Sequence, residues 1–358
     1  MTRYVIVGAG AVGVALAVEL GERGHDIRLV ARGSALEHLA REPLSYHTHR
    51  GSRAVRLPVA GPADDLGLGP DDILVLAVKT QDVDAALPAL AWREVRGPDG
   101  EVLGVAAGLL PVVTVQNGLD AERSAARWFD TVVGAVMMIS ARYATIGEVR
   151  VGGHPHVGSV IAGHAAGDRA ATGRAAKTLI DDARDAGFRA AEVDDIGPYK
   201  AAKLLHSVRN GVEVLAGDRA VKDAVGSALT AEARDVLTAA GIAYRDTDDL
   251  ILDPAQQHTS ARAGVVGRRP STWQSFARGG ATHEVDYLNG EIALLARASG
   301  RSAPLNTRLQ HLLGQAAARG GGVDLPGLDQ LAAALPEELT VDAGVRARST
   351  APAWRSGR

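Results

Sequence analysis

The chain begins with an apolar run that leads directly into three closely spaced glycines. Residues 4–7 have the β-branched character of a buried strand, and residues 14–23 have the apolar spacing of a helix. The motif between them is Gly8-Ala9-Gly10-Ala11-Val12-Gly13. In such a motif the first glycine permits a tight turn, the second lets a pyrophosphate approach the backbone, and the third lets helix and strand pack closely. A glycine turn without a ligand is the alternative, but the flanking strand and helix favour a dinucleotide site.

A basic residue follows the second predicted strand, residues 26–31. Sites for NAD usually carry an acidic residue at the end of this strand, where it binds the ribose hydroxyls. This chain has Arg32 there, and a guanidinium suits a 2′-phosphate. The sequence therefore favours NADP(H) over NAD(H). The alternative is a solvated surface arginine.

Polar residues also follow the next two predicted parallel strands, residues 72–78 and 111–115. Lys79 comes directly after the first, and Asn117 lies two residues after the second. Ligands of an open α/β sheet lie beyond the carboxyl ends of its strands, so both side chains are candidates for binding. The alternative for Asn117 is an Asx turn or a helix cap.

The remaining pattern divides the chain into an α/β part and a helical part. Three strand-like runs at 131–140, 148–151 and 157–162 predict antiparallel pairing at the end of the sheet, followed by a helix over 165–187 and a strand over 188–193. Beyond residue 198 the pattern is almost wholly helical. We predict an α/β fold with a Rossmann-type doubly wound domain (1–195), an all-helical domain (196–336) and a flexible tail (337–358).

The first helix of the second domain carries polar residues at helical spacing. Lys203, Ser207 and Asn210 stand at i, i+4 and i+7, so they share one face of a helix. The apolar residues that lie off this line and can pack inward are Leu204, Leu205 and Val208. An active site between two domains would use such a face, whereas a solvated polar face is the alternative.

A second polar group follows further along the chain. Pro270 and Ser271 are typical of a helix start. Glu284 could pair with a lysine across a cleft, or it could be an ordinary carboxylate on a helix surface.

Charge and composition exclude several classes of function. The 39 basic and 42 acidic side chains give a formal net charge of −3, so no basic excess indicates nucleic acid or an anionic membrane as a partner. The absence of cysteine excludes disulfides and thiolate chemistry. No apolar run reaches the ~18 residues of a membrane span, and a strand that starts near residue 3 leaves no room for a signal peptide. We expect a cytoplasmic protein with no metal site.

Taken together, these motifs resemble the ketopantoate reductase (2-dehydropantoate 2-reductase) family over residues 3 to about 320. The matching segments, in chain order, are residues 8–13, 78–81, 115–118, 203–205, 271–274 and 284–290. The resemblance implies a Rossmann domain joined to an all-helical domain, with NADPH and substrate in the cleft between them.

The resemblance also implies roles for individual residues. Lys203 matches the family's catalytic lysine, which protonates the developing alkoxide as hydride reaches the keto carbon. Glu284 matches a glutamate that contacts the substrate and helps to order the site. Ser271 matches a serine that binds the substrate carboxylate, although Thr272 could take that alignment.

Three further matches concern the cofactor and the substrate. Asn117 matches an asparagine near nicotinamide and substrate, while Lys79 and Arg32 match groups near the adenosine phosphate. The family usually has asparagine where this chain has Ser207, so a substrate hydrogen bond could be lost or relayed by water. Asn210, one turn further on, matches an asparagine found in part of the family.

We therefore expect NADPH-dependent reduction of a small 2-oxo acid, with ketopantoate as the default substrate. The first alternative is a bulkier 2-oxo acid or a secondary-metabolic ketone, suggested by Ser207. The second is a non-catalytic NADP-binding protein. The sequence does not fix the oligomeric state, and a homodimer is one open expectation.

Overall fold

A mixed eight-stranded sheet organises the first two hundred residues in the computed structural model, which describes residues 2–252, 257–265, 269–279 and 283–335. The strands of the described residues, in chain order, are β1 (Arg3–Val7), β2 (Asp26–Val30), β3 (Leu44–Thr48), β4 (Gly51–Val55), β5 (Val59–Ala60), β6 (Asp72–Leu76), β7 (Glu94–Arg96), β8 (Val102–Val105), β9 (Val112–Thr114), β10 (Thr131–Ile139), β11 (Ala141–Thr145), β12 (Glu148–Val151), β13 (Gly153–Pro155), β14 (Gly158–Gly167), β15 (Arg189–Val193) and β16 (Gln257–Thr259).

The helices alternate with strands in the first half and dominate the second. In chain order they are α1 (Ala11–Gly21), α2 (Gly33–Arg41), α3 (Val83–Ala91), α4 (Ala106–Leu109), α5 (Asp120–Ala125), α6 (Arg169–Asp185), α7 (Gly197–Ser207), α8 (Arg219–Ala239), α9 (Ser271–Ala277), α10 (Val285–Ala298), α11 (Pro304–Ala318) and α12 (Leu328–Ala332). Among the described residues, no helix is long and apolar enough to cross a membrane.

The large sheet has the order β15-β14-β10-β9-β6-β1-β2-β5. Its strands from β10 to β5 are parallel, β14 is antiparallel to β10, and β15 is parallel to β14. Strands β1, β6 and β9 are buried and apolar, as expected of parallel strands covered on both faces. The predicted α/β fold is confirmed, and the carboxyl ends of β1, β6 and β9 lie side by side.

The prediction for residues 131–162 is correct for β10 and β14 but wrong for residues 148–151. Strand β12 leaves the large sheet and joins a second sheet of order β11-β12-β3-β4. Its buried residues Val149 and Val151 pack with the apolar residues of α1, so this small sheet covers the outer side of that helix. The predicted helix start at residue 165 is also too early. Strand β14 continues to Gly167 along β10, and the Asp168 carboxylate then caps α6 by accepting from the Ala171 amide at 2.7 Å.

The second half is mainly helical and has two apolar cores. One lies around α8, α11 and α12, and the other joins α7 to α8 and α10. The prediction of a wholly helical second domain is wrong at β16, which pairs antiparallel with β13 of the first half. A strand of three residues is too short to show a period of two in the sequence. The division at residue 195 stays a prediction, and the predicted tail over 337–358 lies outside the described residues.

Candidate active site

The glycine turn between β1 and α1 is shaped by close backbone contacts. Gly8 has φ +123°, and a Cβ there would lie 2.6 Å from the carbonyl carbon of Ala77. A Cβ on Gly13 would lie 2.0 Å from the Gly8 oxygen. Packing therefore requires glycine at both positions. A Cβ on Gly10, by contrast, would meet no atom within 4 Å, so the surface of the turn is open at that point.

This open turn fits the phosphates of a dinucleotide. Helix α1 starts at Ala11, its N-cap Gly10 has no side chain to cap the first N–H groups, and its first turn carries no acidic residue. The positive end of the helix dipole and its backbone N–H groups thus face the open side of the turn without a competing carboxylate from that turn. The residues present are those that an NAD(P)(H) pyrophosphate needs.

One large cavity of about 1350 Å³ connects the glycine turn with the helical half of the chain. The sequence-predicted residues that line it are Gly8, Ala9, Gly10, Ala11, Val12, Arg32, Lys79, Asn117, Lys203, Ser207, Asn210, Ser271 and Glu284. Two predicted residues do not line it. Gly13 lies beneath the turn, where it packs against Gly8, and Thr272 is only 3% exposed.

Lys203 projects from α7 into this cavity. Its Nζ donates to the Met138 sulfur on β10 at 3.0 Å. The pKa of Lys203 is lowered to about 8, mainly by burial and in part by the positive charge of Lys200, while the negative charge of Glu284 opposes both effects. The ammonium is therefore more acidic than an ordinary lysine and is held by a weak acceptor.

Lys200, which the sequence analysis did not single out, fixes the start of the same helix. Its buried Nζ lies 2.7 Å from the Glu122 carboxylate on α5 and donates to the Gln116 carbonyl at 2.5 Å. Thr114 at the end of β9 donates its hydroxyl to the same carboxylate at 2.6 Å. This buried ion pair ties α7 to the sheet edge. A lysine three residues before Lys203, on an otherwise apolar stretch, was the available signal.

Glu284 and Lys79 bring α10 and α9 to the loop that follows β6. The Glu284 carboxylate accepts from the Thr80 hydroxyl at 3.0 Å and from the Thr80 amide at 3.3 Å. Lys79 donates to the Ser275 hydroxyl at 2.7 Å. Burial lowers the pKa of Lys79, and the charge of Glu284 opposes this effect. Glu284 thus acts electrostatically on lysines from both halves of the chain, in agreement with its predicted place across a cleft.

Helix α9 presents one face to the cavity. The residues of that face are Ser271, Gln274, Ser275 and, directly after the helix, Arg278. Thr272, offered as an alternative to Ser271, is turned by about 100° from this face and is buried with Phe276, one turn further on. Between the two, Ser271 is the one that faces the cavity. Ser275 and Arg278 were not predicted, although their spacing of four and seven residues from Ser271 indicates the same helix face.

The predicted continuous helix through Lys203, Ser207 and Asn210 is wrong in its last part. Helix α7 ends at Ser207, and Asn210 begins a short 3-10 helix over Asn210–Val214. Both side chains nevertheless line the cavity. The Ser207 hydroxyl is buried, and among the described residues it has no hydrogen-bond partner. The inward-packing residues Leu204, Leu205 and Val208 are confirmed.

Asn117 lies where the ends of β6 and β9 meet. Its backbone carbonyl accepts from the Thr80 hydroxyl at 3.1 Å. The preceding Gln116 donates to the carbonyls of Leu76 and Val78, both at 2.9 Å, and so holds the two strand ends together. Helix α5 starts at Asp120 without a side-chain cap. The cap interpretation of Asn117 is therefore not supported.

At the other end of the cavity, Arg32 follows β2. Its side chain is 66% exposed, and its guanidinium lies 2.7 Å from the Asp82 carboxylate. Both residues line the cavity. Within the described ranges, no group of three or more His, Asp or Glu residues could hold a metal ion.

Family models match both halves of the chain. Residues 4–163 match "Ketopantoate reductase PanE/ApbA", and residues 204–317 match "Ketopantoate reductase PanE/ApbA C terminal". The chain belongs to the ketopantoate reductase family. A member of this family is an oxidoreductase that acts on a CH–OH group of its donor, so the chain is an enzyme of that class.

The chain matches individual relatives over almost their whole length. A 2-dehydropantoate 2-reductase from Archaeoglobus fulgidus is 26% identical over 324 residues, which are 87% of this chain and 96% of that protein. A crystal structure of a PanE/ApbA family ketopantoate reductase from Ralstonia eutropha superimposes with a TM-score of 0.68 at 23% identity, covering 89% of this chain and 99% of that one. A D-mandelate dehydrogenase solved with NADH and anilino(oxo)acetate has a TM-score of 0.68 at 18% identity, covering 88% and 99%. These structures share the fold of this ketopantoate reductase family member.

Proposed function

We propose that the protein reduces a small 2-oxo acid to the 2-hydroxy acid with NADPH, and that Lys203 is the general acid. Ketopantoate, reduced to pantoate, is the default substrate. The observation that carries the proposal is the position of Lys203. Its ammonium, with a pKa of about 8, lines the same cavity onto which the glycine turn opens.

The reaction needs a proton where negative charge develops. When bound, the nicotinamide cofactor supplies hydride to the keto carbon. The carbonyl oxygen then gains negative charge, and Lys203 can donate a proton to that oxygen. A positioned general acid contributes ~10²–10⁴-fold to the rate. With a pKa of about 8, Lys203 is mostly protonated at neutral pH yet gives up its proton more readily than an ordinary lysine.

The surrounding residues hold the acid and the substrate. The Glu284 carboxylate, fixed by two bonds from Thr80, favours the protonated form of Lys203. Ser271 offers a hydroxyl for the substrate carboxylate, while Asn117 and Asn210 offer amides along the cavity wall. The burial of Lys203 strengthens its electrostatic interaction with Glu284.

The test is NADPH consumption with ketopantoate by the wild type and by Lys203→Ala. We expect the variant to lose about 10²–10⁴-fold in turnover while it still binds NADPH. Lys177→Ala is the matched control, because Lys177 is an exposed lysine on α6. If Lys203→Ala reduced 2-oxo acids at the wild-type rate, Lys203 would not be the acid. No turnover with any 2-oxo acid would remove the proposal.

A bulkier 2-oxo acid is the second candidate substrate, favoured by Ser207. Serine is shorter than the asparagine usual in the family, and its buried hydroxyl has no partner among the described residues. The cavity around it is large, and the D-mandelate dehydrogenase named above was solved with an aromatic oxo acid. A panel of 2-oxo acids separates the two candidates. If Ser207 makes room for bulk, Ser207→Asn shifts kcat/KM toward ketopantoate and away from aromatic 2-oxo acids.

A further inference from the structure

A carboxylate stands at the nucleotide end of the cavity, beside the arginine that favours a 2′-phosphate. Asp82 ends the short 3-10 helix (Thr80–Asp82) between β6 and α3, and its carboxylate is 2.7 Å from the guanidinium of Arg32. Both side chains line the cavity next to the glycine turn. The Arg32 side chain is largely exposed, so few other contacts fix it, and Asp82 determines where its charge is held.

Asp82 acts on a second cation as well. Its negative charge raises the pKa of Lys79, against the effect of burial. Arg32 and Lys79 are the two cations for which the family resemblance implies a place near the adenosine phosphate. One carboxylate is therefore in contact with Arg32 and acts electrostatically on Lys79, the two groups that would attract a phosphate dianion.

NAD(H) and NADP(H) differ at the adenosine ribose. A carboxylate at this place therefore favours binding of the first and disfavours binding of the second. The ribose hydroxyls of NAD(H) donate hydrogen bonds, and acidic residues bind them in Rossmann sites. The 2′-phosphate of NADP(H) carries about two negative charges, is repelled by a carboxylate, and competes with it for the arginine. This chain has both the arginine and the carboxylate, already in contact.

We propose that Asp82 determines cofactor specificity by accepting hydrogen bonds from the ribose hydroxyls of NAD(H) and by competing with the 2′-phosphate of NADP(H) for Arg32. The enzyme then uses both cofactors, and its preference for NADPH is weaker than Arg32 alone would give. This inference rests on the proposed function only in that a nicotinamide dinucleotide binds in the cavity.

The experiment measures binding without turnover. Dissociation constants of NADP⁺ and NAD⁺ are determined by calorimetry on the full chain, without any 2-oxo acid, for the wild type and Asp82→Asn. We expect Asp82→Asn to raise the ratio of NADP⁺ to NAD⁺ affinity about tenfold, with a smaller effect at high salt because charges are screened. Asparagine suits the start of α3 as well as aspartate does, so the variant is expected to fold.

Asp84→Asn is the matched control. It removes the same charge two residues further along, on an exposed side chain that does not line the cavity, and it should leave the ratio within about twofold. Arg32→Ala should lower the ratio. An unchanged or lowered ratio in Asp82→Asn overturns the role of Asp82 and leaves the reductase proposal intact. A wild type that binds neither dinucleotide refutes both.

Discussion

The acidity of Lys203 leads to a pH dependence that ordinary lysines do not give. Only the protonated amine can act as an acid, so the rate of 2-oxo acid reduction should fall as the pH rises through the pKa of about 8. From that value, the protonated fraction is about nine-tenths near pH 7 and about one-tenth near pH 9. Turnover should therefore fall about tenfold between these values. An unperturbed lysine would show almost no loss over the same range.

The assay is the initial rate of NADPH oxidation at saturating cofactor, measured from about pH 6 to about pH 10. Lys203→Ala should lower the rate and remove the inflection, whereas Lys177→Ala should keep it. Thermal unfolding of each sample shows that the protein stays folded over this range. A wild-type profile that is flat up to about pH 10, or an inflection that persists in Lys203→Ala, would refute the assignment of the proton to Lys203.

Substitutions at five further positions test the site and its support. Glu284→Gln removes the charge that raises the pKa of Lys203, so the inflection in the same profile should move to lower pH. Gly10→Ala should fold normally but bind NADP⁺ at least about tenfold more weakly by calorimetry. Gly13→Ala should lower the free energy of unfolding in urea by about 1–3 kcal/mol, because its Cβ would overlap the Gly8 oxygen. Lys200→Met should cost about 3–5 kcal/mol by leaving the Glu122 carboxylate buried and unpaired, and Glu122→Gln in the same chain should recover part of that loss.

The fold of the N-terminal α/β half was predictable because its signals are local. A strand, the glycine motif and a helix follow one another within about twenty residues, and parallel strands such as β1 and β6 are continuous apolar runs. Placing polar residues at the carboxyl ends of such strands needs only the topology of the sheet. Lys79 and Asn117 line the cavity for that reason.

The errors arose where position depends on distant contacts. Strand β12 alternates like any strand with one buried face, and only its pairing with β11 and β3 and its packing on α1 assign it to the small sheet. The end of α7 at Ser207, followed by a 3-10 helix, breaks a spacing that looked continuous in the sequence. The pairing of Arg32 with Asp82 joins residues fifty positions apart, and no sequence period indicates it.

The contrast between Lys200 and Lys203 explains how one helix can provide both an anchor and the acid that we propose. The two lysines are three residues apart on α7, but Lys200 is paired with a carboxylate, whereas Lys203 donates to a thioether. A carboxylate stabilises the ammonium form and holds its proton, while a thioether is a weak acceptor that leaves the proton available. The anchored charge of Lys200 in turn lowers the pKa of its neighbour. In the proposed mechanism the ion pair therefore contributes to the chemistry as well as to the packing, because it places a fixed positive charge beside the proposed proton donor.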